Sequence, residues 1–180
     1  GPIMKKIIFS LFIYSLLFCQ ENRPHGNQYN LPDLTRNNFL IGNLNENRSS
    51  YRVSFYDINI DFDIEKKSLN GFVTVKAESI RDLDKIQIDL AENLNIIKIT
   101  YKNQKLSFSR DFDAVLIDFK SIIKKNSIFE FTVFYEGVPQ GADNPPWAGG
   151  FTWSKDKDER DWIAVSCEGE GARIWWPNKD

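Results

Sequence analysis

From Tyr51 to Tyr135 apolar residues recur at every second position, a spacing that suits extended strands with one buried face and little else. Tyr51, Val53 and Phe55 share one face, and Ile58, Ile60, Phe62 and Ile64 then continue on the opposite parity. The switch near Tyr56-Asp57 predicts a bulge or bend inside one long strand. Lys66 to Gly71 reads as a turn with Asn-Gly at its end, followed by a partner strand that places Leu69, Gly71, Val73, Val75 and Ala77 on one side. Further strands are expected over Ile86–Leu90, Leu94–Tyr101, around Leu106 and Phe108, over Val115–Phe119 and over Ile128–Tyr135. The last of these aligns Phe129, Phe131, Val133 and Tyr135. A tight turn is expected at Lys102-Asn103-Gln104. No long stretch carries a helical stripe, so the expected fold class is all-β, an antiparallel β-sandwich or strongly twisted antiparallel sheets.

Composition narrows what such a domain can do. The chain has 180 residues, enough for one domain with a core plus tails. Its formal net charge of −2 argues against nucleic acid or an anionic membrane surface as partner. A self-contained zinc site needs three or four His, Cys or carboxylate ligands. This chain has one histidine, His25, and two cysteines, Cys19 and Cys167. A histidine-based triad would have to recruit His25 from a polar tail. No catalytic residue and no metal ligand is therefore expected within this chain.

Residues 1–3 read as a cloning remnant and residues 4–19 as a signal peptide. Lys5 and Lys6 precede an apolar run from Ile7 to Phe18, with small residues near its end. The run is short for a membrane span, so no transmembrane segment is expected. Export to a periplasm or to the outside follows. A second reading makes Leu16 to Cys19 a lipoprotein signal with Cys19 acylated. Removal of the peptide would leave Cys167 as the only cysteine, and no intrachain disulfide could form. Residues 20–50 read as an extended polar lead-in, ordered where Leu31, Leu34, Phe39, Leu40 and Ile41 dock. The β-domain is expected over 51–180.

Past Gly137 the composition changes. A long loop rich in Gly, Pro, Asp and Asn runs to Gly150, and loops of that length in compact domains tend to be functional or disordered. Two short strands, Phe151–Trp153 and Trp162–Ser166, flank the charged turn Lys155–Asp161. Then comes Cys167-Glu-Gly-Glu-Gly-Ala-Arg-Ile-Trp-Trp-Pro-Asn-Lys-Asp180. Glycines beside carboxylates let backbone approach a ligand, and tryptophans beside a proline favour a rigid corner. On residue type alone, Glu168 reads first as a solvated loop acid and only second as a site acid.

These terminal features resemble the zinc aminopeptidase family that includes aminopeptidase N and the leukotriene hydrolase. The matching pieces are Gly149-Gly150-Phe151-Thr152-Trp153, Cys167-Glu168-Gly169-Glu170-Gly171-Ala172-Arg173 and Trp176-Pro177-x-x-Asp180. The resemblance covers residues 51–180. It implies a saddle of antiparallel sheets as the N-terminal domain of a larger enzyme. It also implies a catalytic domain, carrying zinc and the paired-histidine helix, that lies downstream and is missing here. Glu168 would receive the free α-amine of a peptide substrate's N-terminus, with Gly169 and Glu170 in the same binding turn. Arg173 would tie the turn to a carboxylate such as Asp180. The chain alone is expected to be inactive. The alternative is a stand-alone secreted β-sandwich that binds glycans or protein partners through Trp147, Trp153 and their neighbours.

Overall fold

The structure is a computed structural model that describes residues 33–179. The compact unit begins at Leu34. The expectations for the cloning remnant, the signal peptide, Cys19 and His25 lie outside the described residues, as does Asp180. Among the described residues no helix is long and apolar enough to cross a membrane.

Among the described residues the alternation is realised as ten strands: β1 (Tyr51–Asp63), β2 (Ser68–Ser79), β3 (Leu83–Asp89), β4 (Leu94–Tyr101), β5 (Gln104–Lys105), β6 (Ser107–Asp111), β7 (Ala114–Ile123), β8 (Ile128–Gly137), β9 (Gly150–Lys155) and β10 (Asp161–Ser166). They form a five-stranded sheet in the order β1-β2-β8-β4-β5, a three-stranded sheet β3-β7-β6 and the hairpin β9-β10, with antiparallel pairing throughout. The fold is all-β with antiparallel sheets.

The core lies where the predicted faces of β2, β3, β7 and β8 meet, whereas Phe55, Ile58, Phe62 and Ile64 of the first long apolar stretch stay exposed. Val73, Val75 and Ala77 of β2 are buried beside Phe129, Phe131, Val133 and Tyr135 of β8. Ile86 and Ile88 of β3 and Val115, Ile117 and Phe119 of β7 join them in one cluster. Phe119 meets Phe129 edge-on at 5.6 Å between ring centroids, the offset geometry that aromatic quadrupoles favour. The buried Tyr51 hydroxyl donates to Gln87 O at 2.6 Å and so stitches β1 to β3.

Several local readings shift by a few residues. The parity switch in β1 is a bulge, but it falls between Val53 and Phe55, earlier than Tyr56-Asp57. Asn70-Gly71 is not a turn end. The turn spans Ile64 to Lys67, with Lys67 left-handed at φ 51°, and Gly71 pairs with Ile60 inside β2. Gly71 is there for room: a Cβ would stand 2.1 Å from Asn59 O. The turn after β4 is as expected, with Lys102 and Asn103 both at positive φ.

The lead-in departs most from expectation. Residues 36–49 hold two short helices, α1 (Arg36–Gly42) and α2 (Glu46–Ser49), rather than extended chain. Thr35 caps α1 through a reciprocal capping box with Asn38. Leu34 and Phe39, expected to dock, are 65% and 60% exposed. Polar ties hold the segment instead. Arg36 pairs with Asp111, Gln87 Nε2 donates to Leu40 O at 3.0 Å, and Asn45 Nδ2 donates to Gln87 Oε1 at 2.8 Å. Arg48 forms a buried ion pair with Asp89 at 3.0 Å. The ties to Gln87 and Asp89, together with an antiparallel bridge from Asp89 to Asn178, lie along the outer edge of β3, which would otherwise present unpaired backbone groups.

Candidate functional site

Residues 167–179 form a turn, one 3-10 turn over Ala172–Ile174 and a short return beside β3. Glu170 N and Gly171 N both donate to Cys167 O, at 3.2 and 2.9 Å, which closes the Cys167-Glu168-Gly169-Glu170 turn. Gly169 at φ +72° and Gly171 at φ +76° supply the left-handed backbone that this turn needs. At its apex Glu168 and Gly169 are exposed, while Glu170 is half-buried. Among the described residues the Glu168 side chain makes no hydrogen bond or ion pair. Cys167 is a free, half-buried thiol.

The long loop before β9 packs directly on this turn. A Cβ at Gly149 would stand 2.6 Å from Glu170 Cγ and 3.2 Å from Glu168 O. Gln140 Nε2 donates to Gly149 O at 3.0 Å, and Gly141 bridges to Phe151 in parallel. The buried Gly149-Gly150 pair and the Glu168–Glu170 turn, separate in sequence, therefore pack against each other.

Arg173 is only 11% exposed along its side chain and carries two ion pairs, from Nε to Asp113 Oδ2 at 2.8 Å and from Nη2 to Glu170 Oε2 at 2.7 Å. Its carboxylate partners among the described residues are Asp113 and Glu170; Asp180, the other expected partner, lies outside them. Glu170 is engaged in structure-holding, while Glu168 is the acid left facing solvent. Asp113 is a residue the sequence reading missed. It sits in the two-residue turn between β6 and β7, delivered by Phe112 at φ 50°. Its Oδ2 also accepts from Asn37 Nδ2 at 2.9 Å, and its Oδ1 accepts from Glu92 N at 2.9 Å. The charged string Arg110-Asp111-Phe112-Asp113 between two alternating strands marks a hairpin in the sequence, but nothing in it names Arg173 as a partner. A polar cleft opens beside this cluster, lined by Asn37, Glu92, Gln140 and Glu170 among others.

Beyond Ile174 the segment is anchored point by point. Tyr135 Oη donates to Trp175 O at 3.0 Å; burial pushes this phenol well above the usual tyrosine range. Trp176 packs edge-on against Tyr56 at 4.7 Å. Lys179 donates from N to Tyr56 Oη and from Nζ to Tyr51 O, both at 2.9 Å. Burial, with Arg48 nearby, holds its ammonium below the ordinary lysine value. Of the five tryptophans, Trp153 stacks on Phe151, whereas Trp147 and Trp162 are 75% and 57% exposed. Among the described residues no three His, Cys, Asp or Glu side chains gather closely enough to hold a metal ion.

The architecture has close counterparts among solved structures. An M1 zinc metallopeptidase from Deinococcus radiodurans superposes with a TM-score of 0.54 at 18% identity, over 73% of this chain and 29% of that one. The chain has the fold seen in M1 zinc metallopeptidases. A two-domain M1 zinc metallopeptidase mutant bound to L-arginine gives a TM-score of 0.57 at 18% identity, again over 73% and 29%. Leukotriene A4 hydrolase from Saccharomyces cerevisiae gives 0.59 at 18% identity, over 74% of this chain and 22% of that one. The chain thus spans less than a third of each of these proteins. No protein-family model and no curated protein matches the sequence.

Proposed function

We propose that this chain is the N-terminal, substrate-anchoring domain of an exported zinc aminopeptidase, an enzyme that removes residues from the amino end of peptides. The observation that carries the reading is Glu168. It stands exposed at the apex of a glycine-built turn that packs on the Gly149-Gly150 loop, on a fold shared with M1 zinc metallopeptidases. One of those, the Deinococcus radiodurans protein, has been seen with a Tyr-Ser-Ala substrate bound.

A peptide's α-ammonium has a pKa of about 8 and is largely cationic at neutral pH. An exposed carboxylate on a rigid turn pairs with it through charge-assisted hydrogen bonds. An internal peptide nitrogen carries no such charge, so the pairing selects chain ends. This chain contributes Glu168 and a wall of the cleft; zinc and the base that works with it belong to other polypeptide. Titrating the chain with L-alanyl-L-alanine amide while following the Gly169 and Gly171 amide resonances tests the anchor. Saturable shifts that vanish in Glu168→Gln and with the N-acetylated dipeptide are expected. Equal shifts from the free and the acetylated dipeptide would sink it. Mass spectrometry of the mature terminus tests export: loss of residues 1–19 is expected, or, for the lipoprotein reading, a retained and acylated Cys19.

The exposed Trp147 and Trp162 favour a second reading, a binding module that stacks indoles on sugar faces. Glycan-array signal that disappears in Trp147→Ala would support it.

A further inference from the structure

We infer that Asp113, far from the terminal motif in sequence, is the positioning residue of the Glu168 anchor: by holding and neutralising Arg173 it leaves the turn negative toward a cationic ligand. The inference rests on the anchor reading above.

The geometry supplies the argument. Arg173 lies five residues from Glu168, and its Nη2 already reaches Glu170 of the same turn. A guanidinium at this place, left to itself, would offset the charge of the acids around it and compete with an incoming ammonium. Asp113 removes that competition. Its carboxylate is 9% exposed, it takes Arg173 Nε at 2.8 Å, and it is itself fixed by Asn37 Nδ2 and Glu92 N. Burial keeps this pair from being screened as a surface pair would be. Arg173 Nε is thereby tethered to the hairpin between β6 and β7, while Nη2 goes to Glu170. Asp113 and Glu170 thus share the one guanidinium, and Glu168 is the acid of the turn without a partner among the described residues. Asn37 makes α1 part of the same device, because its side-chain amide holds Asp113 from both ends: Nδ2 donates to Oδ2 and Oδ1 accepts from Asp113 N at 3.3 Å.

The test uses the whole chain, with L-alanyl-L-alanine amide and its N-acetylated form as probes and the Gly169 and Gly171 amide resonances as readout. Asp113→Asn is expected to weaken binding of the free amine about tenfold, the size expected from one uncompensated charge near the site. The double variant Asp113→Asn with Arg173→Gln removes the liberated guanidinium as well and is expected to recover affinity to within about threefold of the unsubstituted chain. A purely structural role for Asp113 predicts no such rescue. Arg173→Gln alone, which stands in should Asp113→Asn not fold, is expected to bind at least as tightly as the unsubstituted chain. Unchanged affinity in Asp113→Asn, a double variant as weak as the single, or weaker binding by Arg173→Gln overturns the inference while leaving the anchor intact. Failure of the unsubstituted chain to distinguish free from acetylated amine overturns the anchor, and the role of Asp113 with it.

Discussion

The β2–β8 core and the terminal turn at 167–179 are held by opposite strategies. In the core, each side chain is one of many equivalent apolar contacts: Val73, Val75, Phe131 and Val133 are all essentially inaccessible to solvent. In the terminal segment, few contacts repeat. A single guanidinium, one tyrosine hydroxyl and one backbone exchange between Asn178 and Asp89 each perform a separate task. Burial of apolar area is non-directional, so the cost of a core substitution follows the area and volume it removes. A polar tie is directional and leaves its partner unsatisfied when broken, so the terminal segment fails at particular points.

Substitutions should separate the two strategies. The largest effect is expected in the core. Phe131→Ala removes a ring packed against Phe119 and Phe129 and should cost about 4 kcal/mol in urea unfolding, with Glu168 chemistry spared in the folded fraction. Next, Asp89→Ala takes the carboxylate of the buried ion pair away from Arg48, 4% exposed, and should cost about 3 kcal/mol. This variant should also loosen Asn178, which exchanges two backbone hydrogen bonds with Asp89. Hydrogen exchange that accelerates at Asn178 without change in β8 would confirm that the terminus is a separate unit of stability. Gly71→Ala comes third, at about 2 kcal/mol, because its Cβ meets backbone rather than a movable side chain. The smallest effect is that of Tyr135→Phe, about 1 kcal/mol, since only the bond to Trp175 O is lost.

Alkali offers a further comparison between the regions. Burial raises the pKa of Tyr51 and of Tyr135 above the unfolded value of about 10. Groups raised in this way contribute stability that is complete below the unfolded pKa and is lost as pH climbs above it, because the unfolded chain releases protons that the folded chain retains. Lys179 acts in the other direction. Its lowered value means that the folded state disfavours the ammonium, and that penalty fades as pH rises from the folded value toward the unfolded one. Unfolding midpoints should fall above about pH 10, and Tyr135→Phe should flatten that fall. A midpoint that keeps rising past pH 11 would show that the tyrosines are not protected as described.

Legibility followed the same divide. Every strand of the core could be placed from alternation, and Leu94–Tyr101 came out with its observed bounds. Errors arose where one residue serves a local need: Gly71 as clearance rather than as a turn, and the bulge at Val53/Phe55. The helices at 36–49 were illegible because they lack an apolar stripe and are held by Arg36, Asn37, Asn45 and Arg48 to residues remote in sequence. At the site, Glu168 and Arg173 could be singled out from the string that contains them. Their division of labour could not, since it depends on which acid the arginine meets.

The order of residues by itself determined an all-β, antiparallel domain with a glycine-rich acidic turn near its end, because periodic burial and backbone freedom are local properties that a chain displays before it folds. Tertiary structure alone decided that Arg173 takes Asp113 from 60 positions away, and that Glu168 is the acid left facing solvent. An ion pair depends on a few ångströms of final geometry, and those distances exist only once both sheets and the lead-in have closed around them.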